Sequence, residues 1–235
     1  MKAVKTTKLK KSYWKLKALK DINFEINAWD FFALLWINWA WKTTIIWILT
    51  GLVKKTKWKV EIFWIDIDED FSSAKKLIWV VPQEFNFDIF MKVIDVLKYN
   101  AWYYWVEEKI AEKRAEKILK QLWLWAKRNS EMRELSWWMK RRVMIARALM
   151  HEPKLLILDE PTAWVDINIR KDTWEYLKKI NKSWTTILLT SHYLEEVSEL
   201  CNNINIIHKW EVKYKSGNKS AKELEKIFFK ITNEK

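Results

Sequence analysis

Four consecutive aliphatic residues, Leu155, Leu156, Ile157 and Leu158, run directly into two acids, Asp159 and Glu160, and then into Pro161. A strand that is apolar on both faces has no side to show to water. It belongs in the middle of a covered parallel sheet, and the C-terminal end of such a strand opens on a ligand crevice. The segment therefore predicts an α/β fold with two carboxylates at the crevice. Phosphoryl chemistry needs one carboxylate near Mg²⁺ and a second group to orient the attacking water, because positioning and charge neutralisation supply most of its catalysis. Asp159 fits the first role and Glu160 the second. Taken alone, the segment serves equally well as a strand, a turn at Pro161 and two solvated acids.

The tie is broken upstream. Residues 31–35, FFALL, predict an apolar strand, followed by a short loop and a helix that starts with Lys42, Thr43 and Thr44. The phosphate-binding pattern G-x-x-x-x-G-K-[ST] fits this stretch in spacing, with Lys42 and Thr43 in register. Its two glycine positions hold Trp36 and Trp41. That loop needs glycine because its backbone adopts angles closed to residues with a Cβ and presses its N–H groups against phosphate oxygens. Indoles at Trp36, Trp39 and Trp41 would fill the space the phosphates need.

Composition explains the anomaly. The chain has 2 Gly and 19 Trp, whereas a chain of this length averages roughly 16 Gly. Tryptophan also stands where turns are expected, at Trp29, Trp58, Trp184 and Trp210. Most tryptophans are therefore expected to be glycine in the natural protein, through a gene that uses UGA for glycine and was translated with tryptophan. Gly51 and Gly217 would then come from ordinary glycine codons, while Trp174 and Trp125 sit where a real indole packs. The other reading is a protein rich in genuine tryptophan.

The remaining bounds are broad. With 50% hydrophobic residues, the chain can bury one large core, or a core with an inserted lobe. No run approaches the roughly 18 apolar residues of a membrane span, and the lysine-rich start has no apolar segment after it, so neither a transmembrane segment nor a secretory signal is expected. The single cysteine, Cys201, excludes an internal disulfide and a cysteine metal cluster. The net charge is +13, but it is spread as lysine over the whole length with no aromatic-interleaved basic ribbon, so nucleic acid is not an expected partner.

Along the chain, Tyr13 precedes an alternation of Ile22, Phe24 and Ile26 that predicts a half-buried strand, and residues 59–67 resemble a hairpin. Val80 and Val81 form a short strand ending at Pro82 and Gln83. Residues 84–147 turn helical, with Ile110, Ala111, Ile118, Leu119 and Leu122 as one apolar face. The segment LSWWMKRR then opens a helix; with glycine at Trp137 and Trp138, Ser136 and the exposed N–H groups would form an anion site, and otherwise only an N-cap. Asp166 opens a further helix through Lys179. Residues 186–189 make another apolar strand that ends in Ser191 and His192, INIIHKWEV a last strand, and the tail a short amphipathic helix.

At this point the chain resembles the ATP-binding cassette ATPases over essentially its full length. The match comprises WINWAWKTT as the phosphate loop, Gln83 as the Q-loop glutamine, LSWWM as the signature, LLILDE as the Walker B strand, AWVD as the D-loop and His192 as the switch histidine, all in the family's order. The departures are tryptophan at glycine positions and Ile37, where proline is more usual. The resemblance implies a P-loop NTPase fold with a RecA-like core (about residues 1–83 and 148–215), an antiparallel β subdomain, an inserted helical subdomain (about 84–147) and a tail (216–235).

It also implies roles. Tyr13 would stack on adenine; Trp36, Ile37, Asn38, Trp39, Ala40, Trp41, Lys42, Thr43 and Thr44 would hold the phosphates of ATP; Thr43, Gln83 and Asp159 would arrange Mg²⁺. Glu160 would polarise the attacking water and His192 would contact the γ-phosphate. Ser136, with the backbone at Trp137 and Trp138 and the D-loop residue Asp166, would serve the ATP of a second copy or paired ATPase subunit in a head-to-tail dimer. The wording around LSWWMKRR and HYLEE is most similar to ABC-2 type exporters. That implies a separate membrane permease contacted by residues 83–104, and a cytoplasmic subunit held at the inner face of the cell membrane. The alternatives are a soluble cassette acting away from membranes and, if the tryptophans are real, a non-hydrolysing interaction module.

Overall fold

The computed structural model describes residues 1–14, 16–36, 42–162, 167–209 and 211–233, and only the backbone of Leu16, Lys42, Ile167 and Asn168. In chain order the elements begin with β1 (Lys2–Tyr13), β2 (Leu16–Asn27), β3 (Phe31–Trp36), α1 (Lys42–Leu49), β4 (Lys57–Ile62), β5 (Ile65–Asp66), α2 (Phe71–Lys76) and β6 (Ile78–Val81). There follow α3 (Val93–Tyr103), α4 (Glu108–Gln121), α5 (Trp137–Leu149), β7 (Leu155–Asp159), α6 (Ile167–Lys182), β8 (Thr186–Thr190), α7 (Leu194–Leu200), β9 (Asn203–His208), β10 (Glu211–Gly217) and α8 (Ala221–Asn233). They fall into two compact units, one of Met1–Val80, Lys154–Glu160 and Lys178–Lys235, the other of Val81–Pro153 and Pro161–Leu177.

The first unit holds both sheets. One has the order β2–β1–β4–β5 and is antiparallel; the other has the order β10–β9–β3–β8–β7–β6. In the second sheet β9, β3, β8 and β7 run parallel, and β10 returns antiparallel to β9. As their continuous apolar runs predict, β3, β7 and β8 are buried almost throughout. Ile22, Phe24 and Ile26 of β2, Phe32 and Leu34 of β3, Ile45, Ile48 and Leu49 of α1 and Leu155 and Ile157 of β7 share one buried cluster. Because β3, β7 and β8 are parallel neighbours, their C-terminal ends emerge on one edge, where open α/β sheets hold their ligands.

Several details differ from the sequence expectation. Tyr13, expected ahead of the first strand, is the last residue of β1 and pairs with Leu16. That strand escapes notice because lysines interrupt it, yet Ala3, Val4, Thr6 and Leu9 are all buried. The expected single strand INIIHKWEV is two, β9 and β10. In the second unit α3, α4 and α5 pack together, but Ile110, expected on the apolar face of α4, is 46% exposed. The rest of the expected face, Ala111, Ile118, Leu119 and Leu122, is buried, with Ala115 beside it. The second unit also takes in Pro161–Leu177, outside the 84–147 expected for the lobe.

Backbone angles bear on the tryptophans. Gly51 follows the C-cap of α1 with φ +73°, and a Cβ there would lie 2.2 Å from the Phe71 ring. This left-handed cap position is the one glycine favours at helix ends. Trp105, Trp123 and Trp184 occupy the same position after α3, α4 and α6, with φ of 58°, 55° and 70°. The first two complete the double hydrogen-bond pattern of a Schellman cap, Trp105 N to Trp102 O with Val106 N to Ala101 O, and Trp123 N to Lys120 O with Leu124 N to Leu119 O. Trp14, Trp29, Trp58 and Trp64 are also left-handed, at φ of 52°, 68°, 76° and 69°. Trp14 and Trp64 lie in the β1–β2 and β4–β5 hairpin loops, Trp29 is the third residue of the turn closed by Asp30 N on Asn27 O, and Trp58 sits where the β1–β4 register slips. All seven are exposed.

Candidate functional site

The C-terminal edge of the parallel strands brings together Asp159 and Glu160 from β7 with Thr190 and His192 from the end of β8. Register does this directly, since Asp159 pairs with Thr190 across the two strands. The Thr190 hydroxyl donates to Asp159 Oδ1 at 2.6 Å, and the Glu160 amide donates to the Thr190 carbonyl at 3.0 Å. Glu160 turns off the strand with φ 51°, and its side chain is buried although acidic, at 4% exposure. His192 Nδ1 lies 2.7 Å from Glu160 Oε2, so the imidazole donates to the carboxylate and its ring is held in one orientation. The His192 ring also packs on Tyr193, with centroids 3.9 Å apart.

Thr190 was not singled out by its sequence, because a threonine ending an apolar strand looks like an ordinary β-former. Its hydroxyl is fully buried and fixes one carboxylate oxygen. Thr190→Val keeps the shape and removes the donor, and is expected to lower stability by about 1.5–3 kcal/mol, the range for a buried hydrogen bond to a charged group. A urea melt of the two proteins measures it.

The other expected residues are distributed as follows. Thr43 and Thr44 lie in the first turn of α1, with Thr44 buried and Thr43 half-buried. Trp36 ends β3, and its indole N–H is buried without a hydrogen-bond partner, which is the signature of a polar atom without a place in the packing. Ile37, Asn38, Trp39, Ala40, Trp41 and Asp166 lie outside the described residues, as does the side chain of Lys42. Tyr13 closes the β1–β2 hairpin with its hydroxyl buried and unbonded, and Lys11 Nζ stands 4.5 Å from its ring centroid.

In the second unit, Gln83 follows β6 and Ser136 is the N-cap of α5, its hydroxyl accepting from the Met139 amide at 3.3 Å. Trp137 packs edge-on against Phe85, and the Arg142 guanidinium stacks on Trp138. Cys201 takes no part in chemistry of this kind. Burial first, and then the nearby Glu196, push its thiol well above its usual pKa, which keeps it protonated and unreactive.

The donors fit a hard cation with a polyphosphate. Asp159 supplies carboxylate oxygen and Thr43 a hydroxyl, the ligand type Mg²⁺ takes. Among the described residues no group of three or more His, Cys, Asp or Glu could hold a metal alone. An ion at Asp159 would therefore draw further ligands from phosphate and water, as Mg²⁺ does at nucleotide sites.

A family model described as ABC transporter matches residues 19–163. The linearmycin resistance ATP-binding protein of Bacillus subtilis (strain 168) is 35% identical over 204 residues, covering 87% of this chain and 66% of that protein. Nod factor export ATP-binding protein I of Cupriavidus pinatubonensis (strain JMP 134 / LMG 1197) is 35% identical over 200 residues, covering 85% and 62%. The matched part of the chain thus spans just under two thirds of these relatives' length. Among solved structures, the ATP binding subunit of an ABC transporter superposes with a TM-score of 0.87 at 23% identity, covering 97% of this chain and 99% of that one. A dimeric ATP-binding cassette in a post-hydrolysis state, bound to ADP and Pi, gives 0.82 at 24%, covering 92% and 99%. At these identities the likeness is one of fold.

Proposed function

Because the chain belongs to the ABC transporter family and has the ATP-binding cassette fold, we propose that it is the ATP-binding and ATP-hydrolysing subunit of an ABC-2 type membrane exporter, paired head to tail with a second copy and powering a separate permease. The observation that carries this is the Glu160–His192 pair at 2.7 Å beside Asp159, a buried carboxylate aligned by an imidazole on the edge where parallel strands present ligands. The names of the two relatives, one a resistance protein and one an exporter, support the direction of transport. Among the described residues no helix is long and apolar enough to cross a membrane; in the proposed reading the subunit acts at the inner face through its permease.

In this scheme Tyr13 stacks on the base, and Lys42 with the amides of residues 36–44 holds the β- and γ-phosphates. Thr43, Gln83 and Asp159 hold Mg²⁺, which when bound neutralises charge on the phosphates. Thr190 keeps the Asp159 carboxylate in place. Glu160 orients the water and accepts its proton, and His192 contacts the γ-phosphate. Ser136, the amides of residues 137 and 138 and Asp166 complete the site of the second copy.

We infer as well that most of the tryptophans are glycine in the natural protein, encoded by UGA. Support comes from the seven left-handed, exposed positions, three of them at the cap position that Gly51 fills after α1. Trp174 is different: it is helical and 7% exposed, on the same helix as the buried Tyr176 and Leu177. Trp125 carries the Arg128 guanidinium 4.6 Å over its ring. These two are the candidates for genuine tryptophan.

The test is on the protein purified from its natural host. Peptide mass mapping is expected to find glycine at Trp14, Trp29, Trp58, Trp64, Trp105, Trp123 and Trp184, and the protein is expected to hydrolyse ATP with Mg²⁺ and to dimerise when ATP is bound. Tryptophan at these positions overturns the glycine assignment, and a glycine-bearing protein without ATPase activity overturns the function.

A further inference from the structure

Helix α5 carries an arginine that the scheme above does not use. Arg141 is 2% exposed, and a buried guanidinium is tolerated only where its donors are satisfied. Its Nε donates to the Pro161 carbonyl at 3.1 Å, and its Nη1 donates to the Pro82 carbonyl and, at 3.3 Å, to that of Gln83. Two turns further on, Arg147 donates to the Asn86 carbonyl at 3.1 Å and to its Oδ1 at 2.5 Å. The segment from Pro82 to Asn86 is thus fastened to α5 at both ends. The Gln83 side chain makes no hydrogen bond among the described residues, so the backbone is held while the amide stays available.

We propose that Arg141 is a positioning residue: one guanidinium ties helix α5 to the main chain at Gln83 and to the residue that follows Glu160, so that these segments move as one. The proposal rests on the ATPase reading, which gives Gln83 and Glu160 their roles. It does not depend on the identity of residues 137 and 138, because the three carbonyls that accept here belong to Pro82, Gln83 and Pro161. Arginine suits the task because its planar fork bonds several acceptors in fixed directions, whereas lysine is a point charge on a flexible stem. Arg141→Lys keeps the charge and loses the geometry.

The experiment uses the full glycine-bearing protein with Arg141 or Arg141→Lys, alone and with Gln83→Ala. Arg141→Lys is expected to fold with a lower melting point, because buried hydrogen bonds are lost, to lower kcat by about tenfold or more, the scale of a small misplacement at a reacting centre, and to leave KM for ATP nearly unchanged. In the Gln83→Ala background the same change is expected to have little further effect, because the group it positions is already gone. Independently of activity, hydrogen exchange of the amides at residues 83–86 is expected to quicken by about tenfold when the tethering hydrogen bonds are lost, while β7 is unaffected.

An unchanged kcat overturns the proposal, and so do equal losses in both backgrounds, which would mark Arg141 as merely structural. If the parent itself lacks ATPase activity, the function assigned above fails, and exchange alone decides whether Arg141 holds the segment. Unaltered exchange at residues 83–86 rules the tether out.

Discussion

Replacing Trp14, Trp29, Trp58, Trp64, Trp105, Trp123 and Trp184 with glycine together is expected to stabilise the chain by about 5 kcal/mol, within a spread of roughly 0–11 kcal/mol. A residue with a Cβ in the left-handed region costs about 1–2 kcal/mol, and the greater freedom of glycine in the unfolded chain offsets about 0.4–1 kcal/mol of the relief. Little else is lost, because all seven indoles are exposed; the contacts given up are the edge-on pair of Trp29 with Trp184 and the cations over Trp58 and Trp123. Total folding stability is only about 5–15 kcal/mol, so the chain carrying tryptophan at all seven is left marginal or unfolded. For a chain of this size a gain of about 5 kcal/mol corresponds to a melting point higher by about 10–20 °C. Trp174→Gly is the opposite control. That side chain is buried in α6, and losing it is expected to cost about 3–5 kcal/mol for the cavity and about 1 kcal/mol more for a helical glycine. Thermal and urea melts of the three proteins decide it; seven glycines that destabilise would sink the assignment.

Glu160 sharpens the contrast. It too is left-handed without being glycine, but its side chain is buried on His192, so the strain serves a contact. Non-glycine residues persist in such conformations where the surroundings use them, and the exposed indoles have no such use.

What the sequence disclosed follows from the same physics. Strands β3, β7 and β8 were legible because residues apolar on both faces admit one environment, and Asp159, Glu160 and His192 were legible because they end those strands. Strand β1 was hidden by lysines that stand outward while Ala3, Val4 and Leu9 face in. The β9–β10 hairpin reads as one strand because β9 ends at His208 and β10 begins at Glu211, a gap too short to interrupt the strand pattern. Thr190 and Arg141 gave no signal, since one looks like a strand former and the other like a solvated helix cation. Their importance comes from acceptors far away in sequence, Asp159 for the first and Pro82, Gln83 and Pro161 for the second. The proposed phosphate loop rests on spacing alone, with tryptophan at both of its glycine positions, and residues 37–41 lie outside the described residues.

Glu160→Gln in the glycine-bearing protein is expected to slow ATP hydrolysis by about 10²–10⁴-fold, the range for a positioned general base, while ATP binds as before. The amide matches the carboxylate in shape, and its oxygen can still accept from His192 Nδ1, now 2.7 Å from Glu160 Oε2. At 4% exposure, a neutral group is also easier to bury than a charged one, so the fold is not at risk. Only the ability to orient a water and take its proton is lost. Asp159→Asn should behave differently: it weakens the ligand offered to Mg²⁺, so it raises KM for MgATP. The two substitutions separate a group that acts in the transition state from one that acts in binding. Single-turnover hydrolysis and nucleotide-binding titrations read them out. With hydrolysis blocked, the ATP-bound dimer is expected to persist on size exclusion, because the step that ends it no longer occurs. Hydrolysis at the parent rate in Glu160→Gln would remove Glu160 from the chemistry and leave the Glu160–His192 pair a structural contact.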